Sequence, residues 1–485
     1  MNEKADSDSV KSHSGDEERH IGNVGNKHEQ DAFNALHDPD AGKSDEERAR
    51  IDKKLVRRLD LMLIPWLSFL YLVSFLDRTN IGNAKIDGLI KDLNMTSGEY
   101  NACLSLFFVS YAGFEPLTNI LLKRLRPSVF IPLIMVLWGI CMCCMGLVHN
   151  FSGLAAARFF LGVAEAGLFP AALAGSFGGL LAAAIALMDG IGGKDGWSWI
   201  FILEGLATVL IGIVSYWMVH DFPDDARFLS DDDRARVIRR LKSDRQSSAE
   251  HEEFKMSYFW ASAKDWKTWA FAVVYMGCDG PLYAFSLFLP TIIEDLGYES
   301  STTANLLSVP PYAAAAILTI TIGWYADRTR LRGWCNICVS VLGIIGFSML
   351  LGSTDPGVKY AGTFLGALGI YPCIANTIVW CANNVEGVYK RGVTLGFVIG
   401  WGNLNGIMSS NVYLPGDSPN YRPGHGVVLG YLALFLFGGS IFTHFMLIGE
   451  NKKRESGKRD NWIAGKSDSE IELLGDKRPD FLYTT

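Results

Sequence analysis

Asp77 and Arg78 stand side by side at the end of an apolar run, and Glu115, Arg158, Glu165 and Glu204 each stand inside a later one. An ionisable group surrounded by hydrocarbon is costly to keep, so each needs a partner, a cargo or a proton to handle. Asp77 and Arg78 could grip an anion or each other. A carboxyl in low dielectric can load and release a proton near neutral pH. Glu115, Glu165 and Glu204 are therefore candidate proton carriers, with Glu115 the first choice and Glu204 better suited to a network that holds the fold. Arg158 and Glu165 share a helical face, but seven residues separate them by about 10 Å, too far for a direct pair. In the second half, Asp279, Tyr283, Asn376, Asn383, Asn403 and Asn405 put hydrogen-bonding groups into apolar runs. Some must satisfy one another as glue between helices, while Asn383 and Asn403 are candidates to line a cavity. Asn403 leads because it lies mid-run in Trp401-Gly402-Asn403. Trp66, Trp380 and Trp401 could stack on a planar ring, although packing and interfacial roles suit membrane tryptophan equally.

The elements that must position these groups are long apolar stretches. They fall at 61–84, 100–122, 129–148, 153–169, 171–189 and 199–219, then at 268–290, 304–324, 334–352, 360–382, 393–413 and 427–448. A spanning helix needs about 20 mostly apolar residues, and water-soluble domains do not repeat such runs in series. The expected fold is therefore an all-α integral membrane protein with two six-helix bundles. Its parts are a disordered, polar N-terminal tail (1–58), a first bundle (59–219), a linker (220–267), a second bundle (268–449) and a C-terminal tail (450–485). Within the linker, Ser230 followed by Asp231, Asp232 and Asp233 starts a helix with acids at its positive end. Val237, Ile238 and Leu241 give the expected helix, 231–245, an apolar stripe that can lie against the membrane or the helix ends.

Lys and Arg mark every second connection: Lys53, Lys54, Arg57 and Arg58, then Lys123, Arg124 and Arg126, then the densely charged linker, Arg328, Arg330 and Arg332, Lys390 and Arg391, and finally Lys452, Lys453 and Arg454. Basic residues mark cytoplasmic loops, so both tails and the linker are expected inside. The sequons Asn94-Met95-Thr96 and Asn150-Phe151-Ser152 then fall outside, as candidate glycosylation sites. With 49% hydrophobic residues, a net charge of −7 and acids concentrated in the soluble parts, nothing suggests a nucleic-acid surface. The 9 cysteines lie mostly in apolar runs, and the Cys335/Cys338 pair has no partner pair, so no metal and no cofactor is assigned. There is no nucleotide loop, nucleophile elbow or metal spacing to indicate an enzyme.

Leu76-Asp77-Arg78-Thr79-Asn80-Ile81-Gly82-Asn83-Ala84 and the six-plus-six layout resemble the major facilitator superfamily. More narrowly they resemble the fungal anion:cation symporters of the allantoate permease type, which include nicotinate, pantothenate, biotin and allantoate carriers. The likeness continues through Phe114-Glu115-Pro116, Arg158-Phe159, Glu165-Ala166-Gly167, Phe201-Ile202-Leu203-Glu204-Gly205, Gly323-Trp324-Tyr325-Ala326-Asp327-Arg328, Asn383-Asn384, Lys390-Arg391 and Gly402-Asn403. It implies proton-coupled uptake of a small organic anion by alternating access about a midplane site, in the plasma membrane and as a monomer. It also implies a gate at Asp327, Arg328 and Arg330, where charges at helix ends would lock one arrangement. Efflux of a drug or secondary metabolite is the nearest alternative, and a non-transporting sensor or inactive isoform is another.

One stretch departs from this pattern. From Gly153 to Met188 the only charges are Arg158 and Glu165, and no basic turn falls where an inside loop is needed. Relatives in the family would follow the Phe-Pro with a longer helix end and a basic turn, so an internal deletion after Pro170 is expected. Charge parity still demands a return of the chain, which predicts a short hairpin bent at Phe169-Pro170-Ala171 with a void beside it. The fourth and fifth helices would be shortened. For the topology as a whole, a cysteine at Ser243 in an otherwise cysteine-free background is expected to resist an impermeant thiol reagent in intact cells. Labelling from outside would reverse the assignment.

Overall fold

The computed structural model describes residues 39–166, 185, 188–221, 226, 228–243, 256–296, 301–466 and 475–485. In chain order the principal helices are α1 (Asp45–Thr79), α2 (Ser97–Arg124), α3 (Pro127–Met145), α4 (Phe151–Glu165), α5 (Gly196–Met218), α6 (Asp231–Ser243), α7 (Met256–Ala263), α8 (Trp266–Glu294), α9 (Ser301–Thr329), α10 (Arg332–Gly352), α11 (Pro356–Asn383), α12 (Val388–Ser409), α13 (Arg422–Gly430) and α14 (Gly439–Glu455). Among the described residues, eight helical stretches, taking 45–92 and 422–455 as continuous, are long and apolar enough to cross a membrane. Large apolar side chains such as Leu133, Leu137, Leu210, Ile317, Ile320, Leu434 and Phe445 stay exposed on them, as a lipid-facing surface requires. The expected bend at Phe169-Pro170-Ala171 and the void beside it lie outside the described residues.

Close backbone approach holds each half together. A Cβ at Gly205 of α5 would stand 2.6 Å from the Cys143 nitrogen of α3, so only glycine permits that crossing. At Gly277 of α8 a Cβ would lie 2.7 Å from the Phe435 carbonyl carbon, in the 431–438 stretch between α13 and α14. The two halves meet along α1–α8 and α2–α12: Phe108 packs its ring 4.6 Å from that of Tyr283, and Asn411 Nδ2 donates to Ser105 Oγ at 3.0 Å. These contacts run from mid-membrane toward the end of the molecule that carries Asn94.

The N-terminal boundary differs from expectation. Helix begins at Asp45, inside the stretch assigned to the disordered tail, because Ser44 and Glu47 form a reciprocal cap and Asp45, Glu46 and Glu47 sit at the positive end of the dipole. This projecting end of α1 has a partner. Helix α6, started by Ser230 Oγ accepting from the Asp233 amide, places Val237 in a small core with Leu55, Ala226 and Leu229. Arg236 of α6 also binds both oxygens of Asp40, at 2.9 and 3.1 Å. The hydrogen bond from Arg236 holds the Asp40 carboxyl down at about 2.

The C-terminal stretch 475–485 is folded onto the second half. Asp476, fully buried, pairs with Lys267 at the start of α8 and with Lys390 of α12 at 2.6 Å. Burial pushes its carboxyl up, but Lys267 and Lys390 overrule that and hold it below the usual carboxylate range. Trp380 Nε1 and Asn384 Nδ2 both donate to the Thr484 carbonyl, at 2.8 and 2.9 Å. Arg454 of α14 donates to the Asp476 and Arg478 carbonyls at 3.0 and 2.9 Å. One short segment thus fastens α8, α11, α12 and α14. Removing one member of a buried ion pair costs about 3 kcal/mol or more, since it strands the other charge. Asp476→Asn is therefore expected to lower the thermal unfolding midpoint of the purified protein, and an unchanged midpoint would show that the segment carries no load.

Candidate functional site

Arg78 lies in the last turn of α1 and points into the interface between the halves. Its Nε and Nη2 donate to one oxygen of Glu165 on α4, at 3.1 and 2.7 Å, and Ser74, one helical turn earlier, donates to the same oxygen. Its Nη1 donates to the Tyr283 hydroxyl of α8 at 2.6 Å, and that hydroxyl donates to Asn403 Oδ1 of α12 at 2.9 Å. The guanidinium carbon also lies 4.9 Å from the ring centre of Tyr111 and 5.4 Å from that of Phe107, within cation–π range. A single chain of bonds thus runs from α4 through α1 to α8 and α12. Against it lies a cavity lined by Tyr71, Arg78 and Tyr111 on one side and by Tyr275, Asp279, Tyr283, Ile374 and Asn403 among those on the other.

Several candidates do not enter that cavity. Asp77 neither touches Arg78 nor faces the interface. Neighbouring residues on a helix point about 100° apart, and Asp77 Oδ2 accepts from Trp138 Nε1 and Thr208 Oγ1, both at 2.8 Å. Glu204 is buried beside Asn80, yet neither carboxylate oxygen has a hydrogen-bond partner, so it does not tie a network together as expected. Glu115 lies next to Asn403 with one oxygen unpartnered. Glu165 pairs with Arg78, not with Arg158, as the helical spacing required. Arg158 is buried with Nε and Nη1 unpartnered, its guanidinium carbon 5.4 Å from the centre of the same Phe107 ring that Arg78 approaches. Asn383 is exposed at the end of α11, and its neighbour Asn384 is the buried one. Asn376 and Asn405 bond within the bundle, to Arg332 and Asn336 and to Tyr431.

The aromatic walls come from tyrosines, not from tryptophans. Trp66 binds Ser215, Trp380 binds the C-terminal segment and Trp401 is exposed. Sequence reading missed Tyr71, Tyr111 and Tyr275. A signal was present: Tyr275, Asp279 and Tyr283 recur every fourth residue in an otherwise apolar helix, which puts a polar stripe on one face.

At the end of α9 the expected cluster also rearranges. Asp327 pairs with Arg332, which is itself buried and donates to Asn376 Oδ1 at 3.0 Å. Arg328 is exposed with its guanidinium 5.6 Å from the Trp324 ring centre, and Arg330 is exposed at a positive φ of 59°. The asparagines of both sequons are exposed. Asn150 caps α4, accepting from the Gly153 amide at 2.8 Å, and Asn94 sits in the turn before α2.

A profile described as Major Facilitator Superfamily matches residues 67–176 and 172–410. The MFS-type transporter cnsO of Penicillium expansum is 32% identical over 439 residues, 83% of this chain and 85% of that one. The high-affinity nicotinic acid transporter of Saccharomyces cerevisiae is 30% identical over 468 residues, 89% and 85% of the two chains. Among solved structures, a bacterial homologue of the human lysosomal transporter Spinster, in an inward-facing and unoccupied conformation, aligns with a TM-score of 0.57 at 14% identity, over 79% of this chain and 93% of that one.

A buried arginine shared by an acid and an amide biases one helix arrangement over another, whereas an exposed one does so weakly. Arg332→Gln is expected to cut transport turnover at least about fivefold at equal surface level, while Arg328→Ala stays within about twofold. If surface level falls in step with activity, the α9–α10 corner is structural only.

Proposed function

The chain belongs to the major facilitator superfamily, a family of membrane transporters and not of enzymes, and from that premise we propose that it imports a small organic anion together with protons, as an allantoate-permease-type symporter. The observation that carries this reading is Arg78. It is a buried guanidinium shared between Glu165 of the first half and Tyr283 of the second, and it lines the cavity between them. An anion arriving there competes with Glu165 for the same charge. A proton on Glu165 would release Arg78 to the anion, so one carboxyl links proton and cargo. That geometry favours Glu165 as the coupling acid over Glu115, whose neighbour is Asn403. The nicotinic acid transporter among the relatives supports a carboxylate cargo.

The halves are pressed together on the side of Asn94 and Asn150. If the charge asymmetry sets the topology, that side is extracellular, both tails and the 220–267 linker are cytoplasmic, and the arrangement is closed to the outside. Residence in the plasma membrane and action as a monomer complete the proposal. A second reading, an inactive shortened isoform, is favoured by one observation: the two family matches overlap at 172–176, directly after Pro170, where the loss of a segment was expected.

Acid-stimulated, saturable uptake by proteoliposomes or by a transporter-deficient yeast tests the function, and resistance to toxins without uptake would favour efflux instead. Within that assay Glu165→Gln, which keeps size and removes titration, is expected to abolish pH-driven accumulation at least about tenfold while retaining exchange of cargo. Glu115→Gln is expected to keep its pH dependence. The reverse result returns the coupling role to Glu115. A version with a basic turn restored after Pro170 that transports where the present chain does not would establish the inactive isoform.

A further inference from the structure

Residues 475–485 are held the way a bound peptide is held. After one turn at Gly475–Lys477 the segment joins no helix or sheet, and side chains of the second half bind its main chain. Arg454 donates to the Phe481 carbonyl as well as to those of Asp476 and Arg478. Asn451 reads Tyr483 at both backbone groups: its Nδ2 donates to the carbonyl and its Oδ1 accepts from the amide, each at 2.8 Å. Main-chain groups need partners, and these side chains supply what a sheet edge supplies to an added peptide. The Tyr483 ring centre lies 4.4 Å from Lys267 Nζ and 4.1 Å from the Arg454 guanidinium carbon, within cation–π range. Both cations also donate to its hydroxyl, at 3.0 and 2.6 Å.

Two of the helices that the segment joins also line the cavity. Asp476 bridges Lys267 of α8 and Lys390 of α12, and these helices supply Tyr275, Asp279, Tyr283 and Asn403 to the cavity wall. Tyr275 stands about 12 Å along α8 from Lys267, and Asn403 about 20 Å along α12 from Lys390. Neither Asp476 nor Tyr483 lines the cavity. The spacing of its wall is thus tied at one end by a carboxylate that belongs to neither helix. The tie can also part. Asp265 reaches Lys267 and Lys390 at 3.5 and 3.3 Å, and Glu450 reaches Arg454 at 3.9 Å, so each cation keeps a weaker partner when the segment leaves. Leu482 is exposed and Phe481 half-buried, so polar bonds carry most of the attachment, as in contacts that form and separate.

We propose that residues 475–485 are a detachable strap that positions the cavity wall, with Asp476 and Tyr483 as its positioning residues. Docked, the strap fixes α8 against α12. Released, it frees their ends, and the second-half wall of the cavity loosens around Asp279. A ligand that binds one arrangement better than another shifts the balance between them by that difference in affinity. Occupancy of the strap site therefore regulates the cavity from a distance, without any group that lines it. A ligand carried on the same chain suits this role, because the tether sets a high effective concentration and a modest affinity then keeps it docked.

The test uses the full chain with a site-specific protease sequence inserted after Ser467, purified intact and then cut. A labelled peptide of residues 475–485 is expected to exchange for the cut fragment, and the same peptide carrying Asp476→Asn to bind at least about tenfold more weakly. In two otherwise cysteine-free versions, N-ethylmaleimide then reads one buried thiol from each half: Cys278, beside Asp279 in α8, and Cys103 in α2. Washing out the fragment is expected to speed the reaction of Cys278 at least about tenfold and to leave that of Cys103 within about twofold. The unaltered peptide is expected to restore the slow rate. A fragment that never exchanges is a permanent part of the fold and overturns the strap. Exchange with no change at Cys278 overturns the positioning role. Equal acceleration at both thiols is general unfolding and overturns it as well. Should the cysteine-free versions not fold, hydrogen exchange of α8 and α12 against α3 and α5, in the cut chain with its native cysteines, decides between the same outcomes.

Discussion

A guanidinium buried between the halves of a membrane-spanning protein cannot be left alone, and the arrangement around Arg78 is a set of answers to that one demand. Ser74 and Glu165 meet it from the first half, Tyr283 from the second, and the faces of Tyr111 and Phe107 from α2. Because the second half supplies only a hydroxyl while the first supplies a carboxylate, the charge is neutralised within one bundle and merely touched by the other. The halves can therefore separate at this point without stranding an ion, a property that a salt bridge across the interface would not have.

Helix α8 is the counterpart of α1. Almost every residue of it from Phe271 to Ile293 is buried, whereas α9 beside it carries a lipid-facing surface through Ile317 and Ile320. Burial of that kind would ordinarily select a wholly apolar sequence. Here Tyr275, Asp279 and Tyr283 interrupt it on one face, and glycine and proline at 277, 280 and 281 let neighbouring chains come close enough to support the interruption. A polar stripe on the most central helix has no purpose in packing alone.

What the sequence disclosed follows from how each signal arises. Apolar length acts over tens of residues, so the long apolar helices among the described residues and the amphipathic helix at 231 were legible. Direction was harder. Asp77 and Arg78 read as one unit because they are adjacent, yet a helix turns neighbours onto different faces, and only Arg78 reaches the cavity. Asn403 and Glu165 could be named because polar groups in hydrocarbon are conspicuous. Tyr71 and Tyr111 could not, since a lone tyrosine is unremarked in an apolar run, whereas Tyr275 shows only through its four-residue spacing from Asp279 and Tyr283. Arg332 was hidden among basic residues that mark the side of the membrane. The helix from Asp45 and the folded segment 475–485 were concealed by their charge: each looks solvated until the opposite charge that meets it, Arg236 or Lys267, is known from far along the chain.

Chain order gives the last of these a temporal meaning. Residues 475–485 leave the ribosome after every helix they fasten, so for a period of biosynthesis α8 and α12 reside in the membrane with Lys267 and Lys390 lacking the Asp476 carboxylate, and Arg454 lacking the carbonyls that receive it. The second bundle cannot finish assembling as it is threaded in. It waits for residues 475–485, and a nascent chain truncated before Asp476 would leave Lys267 and Lys390 to share the one carboxylate of Asp265, and Arg454 with Glu450 alone.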